Sequence, residues 1–132
     1  MIRGENVIVL DLDGTLCELR PPGKSYEDLA PRPGMLEKLR EYRAGGFYII
    51  VCTARNMRTY DGNVGQILAN TAKTVFQWLD RHQVPYDEVH FGKPWSGTNG
   101  FAVDDRTVRP DEFLRLSHEE ILRLVSGADS HD

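Results

Sequence analysis

A chain of 132 residues is long enough for one domain with a real core, and its 40% hydrophobic and 27% charged residues are ordinary for a globular protein. The net charge of -4 offers no basic face to nucleic acid, and no apolar run approaches the roughly 20 residues that span a bilayer. With Arg3 and only four strongly apolar residues before Asp11, the N-terminus is too short for a secretion signal, and the expected location is cytoplasmic.

The first predicted element is a strand at residues 7–10, VIVL, apolar without polar alternation, as in a strand buried on both faces. It runs directly into Asp11, Asp13, Gly14 and Thr15. Two carboxylates at a buried strand end are costly unless a metal, donors or solvent hold them there. In open α/β sheets ligands bind outside the carboxyl ends of strands, so an acidic site at the strand tip competes with a plain Asp-Gly turn. The two cysteines, Cys17 and Cys52, lack metal-ligand spacing and are too few for a disulfide scaffold. Both are expected to be structural: Cys52 lies in a strand-like run, and Cys17 has no His beside it to activate a thiol.

Residues 16–33 carry Pro21, Pro22, Gly23, Pro31 and Pro33, which exclude a regular helix and predict a loop or small flap. Its Arg20, Lys24 and Arg32 are candidate contacts for an anionic substrate, set against simple solvation. A helix starts at Pro33 or Gly34, with Met35, Leu36, Leu39 and Tyr42 at helical spacing, and Gly45-Gly46 ends it. A second apolar strand covers 47–52 and ends at Thr53, followed by Ala54, Arg55 and Asn56. A polar loop over 57–63 leads into a longer helix with Val64, Ile67, Leu68, Thr71, Val75, Trp78, Leu79 and His82 on one face, stopped by Gln83-Val84-Pro85. His82 reads as a cation or cap at the helix C-terminus. A third strand, 88–91, ends at Gly92-Lys93-Pro94, and a fourth, 100–103, ends at Asp104-Asp105-Arg106. Two short helices follow, 110–116 and 117–125, the second opened by Ser117 and Glu120 in capping-box spacing. Residues 126–132 are expected to be a disordered tail.

Helical crossovers between apolar strands imply a parallel sheet with helices on its faces. Each predicted strand ends in a chemically able residue: Asp11 and Asp13, Thr53, Lys93, then Asp104 and Asp105. In a parallel sheet those ends share one edge. Crowded carboxylates call for a hard divalent cation with oxygen ligands, and magnesium suits a site that keeps waters and shares a phosphate. Thr53 can donate to a phosphate oxygen, Lys93 can neutralise charge, and backbone N–H groups near Leu12 to Gly14 can form an anion nest. An ionised Asp can attack phosphorus, and a second acid can move the proton.

The motif Asp11-Leu12-Asp13-Gly14-Thr15, with Thr53, Lys93 and Asp104-Asp105 following in order at strand ends, resembles the four motifs of the haloacid dehalogenase (HAD) superfamily of phosphatases. The segments TARNMRTYDGNVGQI (53–67), FGKPW (91–95) and VDDR (103–106) look like the small HAD proteins encoded with bacterial capsular polysaccharide enzymes. The resemblance implies a single three-layer Rossmann-like α/β domain over 1–132, a mostly parallel sheet with helices on both faces. It implies Asp11 as nucleophile and magnesium ligand. Asp13 would be the general acid/base, with its backbone carbonyl on the metal. Thr53 and Lys93, with the backbone at Leu12, Gly14 and Ala54, would hold the phosphoryl group, and Asp104 and Asp105 would complete the metal site. Because Asp13 is present, phosphoryl chemistry is expected rather than dehalogenation. The function so implied is magnesium-dependent hydrolysis of a phosphomonoester, a sugar phosphate of capsule or surface-polysaccharide synthesis. A phosphotransferase or mutase sharing the aspartyl-phosphate, and a non-catalytic scaffold, are the alternatives. A receiver-type signalling module is disfavoured because the acidic pair comes last in the chain.

Residues 16–33 and 54–87 leave room only for a flap and a helix, not for the large cap domain of many relatives, so an open site is expected. Either the substrate is bulky or another subunit covers it, and a homo-oligomer that supplies the lid is the expectation. The expected partner is a small phosphorylated molecule, with no nucleic acid and no membrane. Arg55, Asn56, Arg58, Tyr60 and Trp95 lie on loops at the predicted edge; Arg55 and Asn56 are the candidate substrate contacts, and Trp95 can stack on a sugar ring or pack in the core. Arg106 is expected to orient Asp104 or Asp105.

Overall fold

A computed structural model describes residues 2–127. The elements in chain order are β1 (Val7–Asp11), α1 (Met35–Ala44), β2 (Tyr48–Thr53), α2 (Val64–Arg81), β3 (Glu88–Phe91), α3 (Pro110–Arg115) and α4 (His118–Ser126), with a single 3-10 turn, Tyr26–Asp28, in the long loop after β1. The chain divides after Trp95 into two compact units.

The first unit is α/β. Its strands form a parallel three-stranded sheet in the order β1-β2-β3. The register places Ile8 and Leu10 beside Ile49 and Val51 on one face, and Val9 beside Ile50 on the other. Ile49 and Val51 are fully buried. The two crossovers carry α1 and α2, and α1 buries Met35, Leu39 and Tyr42. Gly34, with φ 82, opens α1, while Gly45 and Gly46 close it.

β1 is an edge strand, not one buried on both faces: Val9 is 63% exposed. The central strand is β2, which is why its apolar run has the deeper burial. In α2 the buried stripe is Ile67, Thr71, Val75, Trp78 and Leu79; Val64 and Leu68, expected on that face, are exposed near the start of the helix. Asn63 caps that start, its side chain accepting the Gln66 N–H at 3.1 Å.

Trp78 ties the long loop to α2. Its indole Nε1–H donates to the Leu29 carbonyl at 2.8 Å, inside the core and 49 residues away in sequence. Trp78→Phe removes the indole donor to this carbonyl and leaves a gap beside Leu29. We expect a loss of about 2 kcal/mol or more in urea unfolding. Unchanged stability would show that the loop is anchored elsewhere.

The second unit holds α3 and α4. The strand expected at 100–103 does not form: Phe101 and Val103 are 80% and 88% exposed, and the segment joins no ladder. The capping box at Ser117 is present, with Ser117 N–H donating to Glu120 Oε1 at 2.9 Å and Glu120 N–H to Ser117 Oγ at 3.2 Å. Ser126 and Gly127, expected to begin a disordered tail, instead finish α4: Gly127 caps it in the left-handed region. The remainder of that tail, 128–132, lies outside the described residues.

Candidate active site

The carboxyl ends of β1, β2 and β3 lie along one edge because all three strands are parallel, with Asp11 in register with Cys52 and Thr53 with Phe91. After β3 the chain turns at Gly92, whose φ is 83 and where an added Cβ would come within 2.9 Å of Val64. That turn brings the Lys93 N–H onto the Thr53 carbonyl at 3.1 Å and the Lys93 Nζ to 3.4 Å from Asp11 Oδ1. Two residues 82 apart in sequence thereby face each other as nucleophile candidate and cation. Burial raises the Asp11 carboxyl above the ordinary value of 3.8, against the lowering pull of Lys93 and a hydrogen bond from Leu12 N–H.

Asp13 is held separately. Arg55 grips it with two bonds, Nη2 to Oδ1 at 2.8 Å and Nε to Oδ2 at 3.2 Å. Arg55 is only 5% exposed, and the Tyr26 ring lies 4.0 Å from its guanidinium carbon. Thr53 is fully buried, and its Oγ1 accepts the Arg55 N–H at 3.0 Å. Thr53 therefore stands at the expected strand end, with its oxygen engaged in fixing the loop that carries Arg55. Arg55 itself, expected as a substrate contact, is first of all the partner of Asp13.

The loop cations are used internally as well. Arg32 Nη2 donates to the Gly14 carbonyl at 2.8 Å and so braces the acidic turn. Lys24 pairs with Glu18 at 3.0 Å, and Arg20 donates to the Lys24 carbonyl and lies over the Tyr26 ring. Trp95 is 49% exposed and stands 5.7 Å from the Arg58 guanidinium, so it is not a core residue. Asn56 adopts φ 63, accepts the Thr71 hydroxyl at 2.8 Å and donates to Thr59.

Two of the expected phosphate donors are already committed. The Leu12 N–H donates to the Cys52 carbonyl of β2 at 3.1 Å, which continues the β1–β2 pairing past Asp11, and the Gly14 N–H donates to the Cys17 carbonyl at 2.8 Å, which closes the turn after β1. The Ala54 amide takes part in no such turn or loop bond among the described residues. Cys52 is half-buried on the face shared with Asp11, rather than in the core. His82 is the C-terminal cap of α2, one of its two expected roles, and burial, with neighbouring Arg81, lowers its pKa.

Cys17 is fully buried, with Sγ 3.5 Å from both the Leu12 carbonyl and Asp13 Oδ1. Burial, reinforced by the Asp13 charge, pushes its thiol up to about 12. Cys17 is therefore expected to resist iodoacetamide at pH 8 in the folded protein and to react after denaturation. Labelling of native Cys17 as fast as a free thiol would contradict this placement.

The oxygen donors at the β1 end fit a hard cation in part. Asp11 offers a half-buried carboxylate raised by desolvation, and the Asp13 main-chain carbonyl accepts no turn or loop bond among the described residues. The Asp13 carboxylate is taken by Arg55. Asp104 and Asp105 belong to the second unit, where both are exposed and the Asp105 N–H donates to Asp104 Oδ1 at 2.7 Å. Arg106 forms no ion pair with either among the described residues. No group of three His, Cys, Asp or Glu side chains is arranged to hold a metal among the described residues.

Sequence reasoning missed Tyr26, the Arg32 brace and the role of Thr71. Only Thr71 left a signal: a hydroxyl on an otherwise apolar helical stripe needs a partner. No helix among the described residues is long and apolar enough to cross a membrane.

No protein-family model and no curated protein matches this chain. Among solved structures it is similar to a crystallised target protein from Vibrio cholerae, at 49% identity and a TM-score of 0.87 over 93% of this chain and 98% of that one. More remote are a Pnkp1/Rnl/Hen1 complex (20% identity, TM-score 0.48, 83% of this chain and 34% of that one) and the D,D-heptose 1,7-bisphosphate phosphatase from B. bronchiseptica complexed with magnesium and phosphate (14% identity, TM-score 0.46, 96% of this chain and 65% of that one). Likeness at that remove says nothing of activity or substrate.

Proposed function

We propose that this chain, which belongs to the same family as the Vibrio cholerae protein, is a HAD-type phosphatase that hydrolyses a phosphomonoester through an aspartyl-phosphate. The observation that carries the reading is the Asp11–Lys93 pair at 3.4 Å, at the carboxyl edge of a parallel sheet, with a second acid two residues on. A carboxylate placed to attack, a cation facing it and a second acid to move the proton are groups that phosphoryl transfer through an aspartyl-phosphate can use.

In the first step an Asp11 carboxylate oxygen forms a bond to phosphorus as the bond from phosphorus to the leaving oxygen breaks. Lys93 faces Asp11 and offsets the negative charge gathered there by nucleophile and phosphoryl oxygens. Asp13, protonated at that stage, gives its proton to the leaving oxygen. In the second step water attacks phosphorus, Asp13 takes the water proton, and the bond between phosphorus and Asp11 breaks to return the carboxylate and release phosphate. Both oxygens of Asp13 are engaged by Arg55, so each proton transfer uses a remaining lone pair or a turn of the carboxyl within the pair. The Ala54 amide and the Thr53 hydroxyl are the groups of the β2 end assigned to phosphoryl oxygens.

Asp11 and the Asp13 carbonyl, with Asp104 and Asp105 as the remaining candidates, would hold a magnesium ion. Such an ion supplies charge neutralisation to the phosphoryl group. The substrate we assign is a sugar phosphate of capsule or surface-polysaccharide synthesis, supported by the resemblance of 53–67, 91–95 and 103–106. The small loop over the site supports a homo-oligomer in which a second copy completes the cover.

The test is phosphate release from a panel of phosphorylated sugars and nucleotides, with magnesium and with excess EDTA. Release that requires magnesium and favours sugar phosphates is expected. A protein that releases no phosphate from any of them with magnesium present would contradict the reading.

A further inference from the structure

We infer that a cavity between the Tyr26 turn and α2 is a subsite for hydroxyl groups of the substrate, which makes the substrate class a polyhydroxylated phosphate ester. This inference rests on the phosphatase reading for the position of the reacting group and deepens it. The cavity measures about 80 Å3 and is lined by Tyr26, Arg55, Asn56, Asn70, Thr71 and Thr74. All six belong to the first unit. Arg55 ties the cavity to the chemistry, because the same guanidinium grips Asp13.

The decisive feature is the third nitrogen of Arg55. Nε and Nη2 are spent on Asp13, while Nη1 is buried with no hydrogen-bond partner among the described residues. An arginine with one edge satisfied and the other orphaned within a low-dielectric setting costs free energy unless something accepts those N–H groups. The Tyr26 ring lies over the face of the guanidinium at 4.0 Å, while the Arg55 N–H groups point in the guanidinium plane, the direction from which an acceptor oxygen approaches.

The charge of the cavity decides the class of ligand. The guanidinium charge is already matched by the Asp13 carboxylate, and the other lining side chains are neutral. A second anion would find no unmatched positive charge there, whereas a hydroxyl needs one acceptor and one donor rather than a net charge. The lining provides both. Arg55 Nη1 donates. Thr71 gives its proton to Asn56 Oδ1 and keeps its lone pairs, and Asn70 gives a side-chain N–H to the Gln66 carbonyl and keeps its Oδ1 as acceptor. A mixed set of donors and acceptors beside a polar-faced helix is the chemistry that reads neighbouring hydroxyls of a sugar. A volume near 80 Å3 admits one or two hydroxylated carbons, not a whole ring.

The experiment compares the unaltered chain with Asn70→Leu and Thr74→Val. Both positions are away from the fully buried core, so the variants should fold. Each is assayed on pentose, hexose and heptose monophosphates and on phenyl phosphate, which has no hydroxyl. The expected result is a sugar phosphate preferred over phenyl phosphate by about tenfold or more in kcat/KM. Each variant should lower that ratio about fivefold or more, through KM rather than kcat. Equal ratios in all three proteins would overturn the subsite and leave the phosphatase reading standing. No phosphate release from any compound would overturn the phosphatase reading instead. The subsite is then decided by NMR: the Arg55 Nε and Asn70 amide signals must move with the sugar phosphates and not with phenyl phosphate. Signals that stay fixed with every sugar phosphate overturn the subsite as well.

Discussion

Asp11→Asn is expected to fold and to lose phosphate release by a factor on the order of 10^4 or more, because the amide removes the attacking oxygen charge while keeping the side chain's shape. The same substitution tests the electrostatics of the site. Burial raises the Asp11 pKa above 3.8, so the ionised form is disfavoured in the fold. A carboxyl raised on folding contributes its stability fully below the unfolded value of 3.8 and loses it as the pH rises through the folded value. At neutral pH the charge therefore works against the fold. In metal-free buffer at pH 7, Asp11→Asn should melt no lower than the unaltered protein, and the difference should vanish in acid. A variant that is inactive because it is unfolded, or one that turns over at the normal rate, would each contradict the assignment.

The second large effect is on stability. Arg55→Met leaves Asp13 without either of its bonds from Arg55 and strips the guanidinium from the Tyr26 ring. Removing one member of a mostly buried ion pair costs about 3 kcal/mol, since the other charge stays behind unpaired. In a chain of this length that lowers Tm by roughly 10 °C. Arg55→Lys should fall between the two, because an ammonium holds the charge but cannot make the paired contact or lie flat on the ring. A double-mutant cycle with Asp13→Asn separates the pair's coupling from the loss of packing. If Arg55→Met unfolds at the same urea concentration as the unaltered protein, Arg55 is not the element that holds Asp13.

The parts of the fold that were legible in the sequence are those set by unbroken apolar runs and helical period. β2 and β3 end where Thr53 and Phe91 end, and α2 begins at Val64, directly after Asn63. Lys93 and Asp11 meet because both follow parallel strands, and chain order alone predicts that. Other features depend on neighbours that a local pattern does not contain. The run at 7–10 is as apolar as a central strand, yet β1 lies at the edge and exposes Val9. The run at 100–103 has strand composition, yet Phe101 and Val103 are exposed and no strand forms there. The backbone amides at Leu12 and Gly14 are taken by the Cys52 carbonyl of β2 and by the Cys17 carbonyl of the turn, partners that the local motif does not contain. Arg55 looked like a substrate contact because loop arginines next to a site usually face outward. Its partner is 42 residues away, and only the fold brings the two together.

The central claim is that Asp11 carries the phosphoryl group during turnover. Borohydride added to the protein while it turns over a phosphomonoester with magnesium reduces an acyl phosphate to an alcohol, converting the carrying aspartate to homoserine. Peptide mass spectrometry should find homoserine at position 11 and at no other aspartate, and only with substrate present. Phosphate release at full rate with Asp11 unmodified, or homoserine at Asp13 instead, would contradict the account.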